Sequence, residues 1–113
     1  MALERGKLSN VVVVSAGSTV GIITVANSKK VYVKSIIAHA LTGVSTVTAQ
    51  VYFVPNGGSA NNNTRIFDVD VSPGVTVLID PSYPLVIVTT GDSIVVGAGV
   101  STVNFLITGD KEL

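Results

Sequence analysis

The sequence predicts an all-β domain, an antiparallel β-sandwich of about eight to nine short strands with a jelly-roll-like or immunoglobulin-like arrangement. Three observations predict it. Val and Thr dominate while Glu and Lys are scarce, and branched side chains suit a pleated surface better than a helix. Apolar and polar residues alternate with period two over 46–54, 64–71 and 101–108. Gly, Pro, Asn and Asp punctuate these runs at short intervals, and no segment with a helical period separates them.

The elements follow in order. Residues 11–15 and 20–25 are the first apolar runs, split by Ala16-Gly17-Ser18. Residues 31–41 follow Asn27-Ser28-Lys29-Lys30, and period two puts His39 in phase with Val31, Val33, Ile37 and Leu41. Over 46–54, Val47, Ala49, Val51 and Phe53 share one face, with Thr46, Thr48, Gln50 and Tyr52 on the other. Residues 55–63, rich in Gly and Asn, read as a long hairpin tip. Over 64–71, Phe67, Val69 and Val71 oppose Asp68 and Asp70. Ser72-Pro73-Gly74 is a turn before a strand at 75–80. Asp80-Pro81-Ser82-Tyr83-Pro84 is a rigid link to a strand at 85–89, and Thr90-Gly91-Asp92 turns the chain again. Residues 93–98 and 101–108 close the series, with Val103, Phe105 and Ile107 opposite Thr102 and Asn104.

The expected organisation is a sandwich over residues 20–113, preceded by an N-terminal arm and first strand over residues 1–19. Residues 1–10 are polar and off the pattern, as in an arm that orders on a neighbour. Val11, Val12, Val13 and Val14 form the candidate interface, a strand that could be added to a neighbour's sheet.

Composition points to assembly. The 113 residues are 47% hydrophobic and only 12% charged, with seven basic and seven acidic side chains and no net charge. Typical globular chains carry about 25% charged residues, and a surface poor in charge favours association. A homo-oligomer is expected, a trimer among the options. Without a basic excess there is no footprint for nucleic acid. Ser35–Val54 lacks formal charge, but its turn-like centre and its alternation read as two strands rather than a membrane span. With no Cys, disulfides and thiolate chemistry are excluded.

No constellation for catalysis or metal binding stands out. His39 is the sole His, without a nucleophile or orienting acid near it in sequence. Asp68 and Asp70 project from one strand face and, even with Asn61, Asn62 and Asn63, supply too few oxygens for calcium. Asp80 and Asp92 sit at turns, where Asp bonds local amides. Gly57-Gly58 lacks the Lys and helix of a phosphate loop. Asn62-Asn63-Thr64 matches a glycosylation sequon but follows no secretion signal. Lys29, Lys30 and Lys34 read as a solvated turn. A sugar-binding platform would need Tyr32, Tyr52 and Tyr83 to converge. The expectation is a non-enzyme without cofactors.

The order of segments carries a resemblance. Ile23-Thr24-Val25-Ala26 leads to Lys30-Val31-Tyr32-Val33-Lys34-Ser35-Ile36-Ile37. The strand Val47–Val54 runs into Pro55-Asn56-Gly57-Gly58-Ser59, and Asp80, Leu85-Val86 and Gly91-Asp92-Ser93-Ile94 follow. Over residues 20–108 this pattern resembles small virion structural proteins of tailed bacteriophages; residues 1–19 have no counterpart in it. The resemblance implies a β-sandwich, often a jelly roll, that assembles on the particle beside the major capsid protein or other virion proteins. Capsid decoration or cement is the role it implies first, with head-spike, neck, tail or fibre-base components as the alternatives. A carbohydrate- or surface-binding module is the reading from a different class.

Overall fold

The computed structural model describes residues 3–24, 30–42, 45–80, 85–87 and 91–112. Among them are ten strands and no helix: β1 (Leu3–Lys7), β2 (Val12–Val14), β3 (Thr19–Thr24), β4 (Val31–Ala40), β5 (Val47–Val54), β6 (Arg65–Val71), β7 (Thr76–Ile79), β8 (Leu85–Ile87), β9 (Ser93–Ala98) and β10 (Val103–Glu112). Every pairing is antiparallel.

The first sheet has the order β1-β10-β4-β7. β2 continues the column of β1 along β10, and β8 continues the column of β7 along β4. The second sheet has the order β3-β9-β5-β6. The chain therefore crosses repeatedly between sheets, and its last strands insert between its early ones: β9 between β3 and β5, β10 between the β1/β2 column and β4. This double Greek key is a jelly roll. Of the two arrangements expected, the pairing selects the jelly-roll one and not the immunoglobulin-like one, because no sheet is built from a meander of sequence neighbours.

The core is mostly aliphatic. Val14, Val33, Ile36, Ala38, Ala40, Val47, Ala49, Val51, Val71, Ile94, Val96, Val103, Phe105 and Ile107 are all buried between the sheets. Each buried Val, Ile or Phe stabilises the fold by about 1.5–3 kcal/mol relative to exposure. Phe105 is the largest fully buried side chain. The predicted faces of β5, β6 and β10 hold: Phe53, Phe67 and Val69 pack on the core, while Asp68 and Asp70 are exposed. The Ser72-Pro73-Gly74 turn is closed by the Val75 amide donating to the Ser72 carbonyl at 3.0 Å, with Gly74 at φ 74°. That left-handed angle favours Gly at this place.

Two expectations need correction. Leu3–Lys7, read as off the strand pattern, is a strand paired with Thr108–Glu112 of the same chain, and β10 runs four residues beyond the expected end at 108. An edge strand open to solvent on several sides can be charged, as Glu4, Arg5 and Lys7 are here, so no alternation marks it. The second concerns β4. Ile37 and His39 do not share a face with Val33, because Lys34 is an extra residue without a register partner: Val33 pairs Gly109 and Ser35 pairs Thr108. This β-bulge shifts the phase. Val33, Ile36, Ala38 and Ala40 are buried, whereas Ile37 and His39 turn to the outer face.

Candidate interaction surface

The outer face of the first sheet carries an apolar patch at one end and a basic depression at the other. The patch is assembled in register. Leu106 of β10 lies beside Ile37 of β4, which lies beside Leu78 of β7. In the next row Val13, Asn104, His39 and Thr76 line up across four strands. Val11, Val13 and Leu78 are each about 60% exposed, at 61%, 60% and 60%. Large apolar groups standing in water in this number are a mark of an interaction site when they cluster on one face. No charged side chain lies among these positions.

Within the patch, Val11, Ile37, His39, Asn104 and Leu106 line a shallow depression of about 230 Å³. The Asn104 Oδ1 atom is buried there with no hydrogen-bond partner among the described residues. Leaving a buried acceptor unpaired costs about 1–3 kcal/mol. His39 is held by a 2.9 Å hydrogen bond between Nδ1 and Thr76 Oγ1.

The structure divides the four valines expected at the interface. Val11 and Val13 point outward, Val12 packs against the core, and Val14 is fully buried opposite Val103. Strand alternation imposes this split. Ile37, Leu78 and Leu106, which complete the patch, were not singled out by the sequence. The signal existed for Leu106, out of phase with Phe105 and Ile107, but the bulge at Lys34 hid Ile37.

At the other end, Arg5, Gly6, Lys7, Lys34, Thr108 and Gly109 line a depression of about 330 Å³. Asp110 is the buried charged residue beside it. Lys34 Nζ lies 2.7 Å from Asp110 Oδ2, and Arg5 Nε lies 3.4 Å from Oδ1. The Lys34 hydrogen bond, helped by the two positive charges, holds the Asp110 carboxyl below the usual carboxylate range against the opposing effect of desolvation.

The remaining candidates are dispersed. Asp68 meets Arg65 at 3.4 Å, and Asp70 accepts from Thr48 Oγ1 at 3.1 Å. Asp92 Oδ1 accepts the Asn56 amide at 3.0 Å, a contact between distant loops rather than the local turn bond expected of it, and Asp80 is exposed. Asn61 orders the hairpin tip: its Oδ1 accepts the Asn63 amide at 2.8 Å, and its carbonyl accepts the amides of Thr64 and Arg65. Tyr32 and Tyr52 lie on different sheets, and Tyr52 is buried against Gln50, its hydroxyl donating to Oε1 at 3.0 Å. Tyr83 and Lys29 lie outside the described residues. Among the described residues no group of three His, Asp or Glu is placed to hold a metal ion.

No protein-family model matches the chain, and no curated protein does. Solved structures do. A chain of the T13 viral particle of IBDV aligns with a TM-score of 0.58 at 12% identity, covering 97% of this chain and 30% of that one. A chain from infectious bursal disease virus, Gx strain, aligns with a TM-score of 0.50 at 12% identity, covering 95% of this chain and 32% of that one. This chain thus corresponds to about a third of the length of those it resembles, and at such identity the likeness is one of fold: the jelly roll is shared.

Proposed function

We propose that this chain is a non-enzymatic structural subunit of a virus particle. Its most concrete role is capsid decoration or cement on a tailed bacteriophage, bridging shell subunits as one copy of a homo-oligomer. The observation that carries the reading is the uncharged patch of Val11, Val13, Ile37, Leu78 and Leu106 on a jelly roll of the kind that builds viral particles. A shell-bound subunit gains from apolar contact and needs few charges, in keeping with 12% charged residues and zero net charge.

The test is reconstitution on particles that lack the chain. Wild-type protein is expected to bind in many copies spread over the shell. A Val11→Ser/Val13→Ser/Leu78→Ser variant is expected to stay folded and to bind weakly or not at all. Copies confined to one vertex would replace the decoration role by the neck, tail or fibre-base role. No binding to particles by the folded wild-type protein would overturn the reading.

A further inference from the structure

The basic depression on the first sheet has no place in a purely apolar docking surface. It arises from two backbone features. The bulge at Lys34 aims that side chain outward, where β4 would otherwise offer an alternating residue. Gly6 and Gly109 pair in register across β1 and β10, and both line the hollow. Around it stand Arg5, Lys7, Lys34 and Thr108.

The charges do not cancel there. Asp110 is the one carboxylate against three cations, and it engages Arg5 and Lys34. Glu4, next along β1, pairs with Lys111 at 3.4 Å. Among the described residues no carboxylate lies within ion-pair distance of Lys7, whose Nζ donates to Asn10 Oδ1 at 2.8 Å. A formal excess of two positive charges thus sits around a hollow of about 330 Å³ in a chain of zero net charge. Asp110 holds the Lys34 head group at 2.7 Å before any ligand arrives, which lowers the ordering cost of binding. An anion in the hollow would meet charge-assisted donors from Lys and Arg together with a hydroxyl.

We propose that the hollow lined by Arg5, Lys7, Lys34 and Thr108 is a binding site for an oxyanion carrying at least two negative charges, of the phosphoryl or polycarboxylate class. The site is independent of particle docking and is tested on the isolated full chain by titration calorimetry at constant ionic strength. Two probes separate the sources of the charge: inorganic pyrophosphate and tricarballylate. Saturable one-to-one binding of either supports the site, and the tighter probe assigns the class. Lys7→Ala is expected to weaken binding by about tenfold, the worth of one charge-assisted hydrogen bond, with an unchanged melting temperature because Lys7 is exposed. Thr108→Val should weaken it less. Absence of saturable binding by both probes, or equal binding by wild type and Lys7→Ala, would overturn the proposal.

Discussion

A Cβ built on Gly109 would be driven into the carbonyl oxygen of Tyr32 on the neighbouring strand β4. Backbone, unlike a flexible side chain, cannot swing aside, so any side chain at this position would force β4 and β10 to shift. The close approach occurs at the β-bulge of Lys34, where β10 and β4 change register. The same irregularity that shapes the basic hollow therefore depends on a missing methyl group.

Gly109→Ala is accordingly expected to destabilise the domain by roughly 3 kcal/mol, the upper end of overpacking costs. Denaturant unfolding would measure it. A loss under about 0.5 kcal/mol, the usual range for neutral surface changes, would show that the strands can part without cost.

Asp110 makes stability depend on acid pH. Its carboxyl is held low in the folded state by Lys34 first and Arg5 second, so the folded state binds its proton less readily than the unfolded chain does. Its contribution is complete above the unfolded carboxyl value of about 4 and is lost as pH falls through the lowered folded value. Melting temperatures between neutral pH and pH 2 should therefore drop less steeply in Asp110→Asn than in wild type. Parallel curves would refute the assignment.

Val13 and Val14 are adjacent in sequence and opposite in role. Val14→Ala should cost about 2 kcal/mol through lost burial and a cavity beside Val103. Val13→Ser, at a position 60% exposed, should change stability by less than about 0.5 kcal/mol while reducing self-association or particle binding. Chemical denaturation and sedimentation read the two effects separately.

His39 anchors one hydrogen bond, to Thr76. Its replacement by Ala should lower stability by about 1 kcal/mol, the usual net worth of such a bond. The Thr76→Val variant should lose a similar amount, and the double variant no more than either, since they share one contact. Additive losses in a double-mutant cycle would show that the bond contributes nothing.

The strand content was legible because alternation is strong where one face is buried and the other wet. Val47, Ala49 and Val51 announce their strand, as do Val103, Phe105 and Ile107. Leu3–Lys7 escaped because a charged edge strand need bury little. The exposed apolar patch was half legible. The valine run at 11–14 drew notice, yet a run of identical residues cannot say which alternate members point out. Ile37 could not be seen, because one extra residue at Lys34 inverts every face that follows it on β4.

By itself the sequence determined the all-β class, the positions of nine strands, the core faces of β5, β6 and β10, and a surface poor in charge. These follow from local preferences and from period-two patterning, both written into contiguous residues. Tertiary structure alone decided the jelly-roll order, the pairing of Leu3–Lys7 with the chain's far end, and the meeting of Arg5, Lys34 and Asp110. Those depend on contacts between residues as far apart as Leu3 and Glu112. No local pattern encodes them, because strand partners are chosen by how the whole apolar surface can be buried at once.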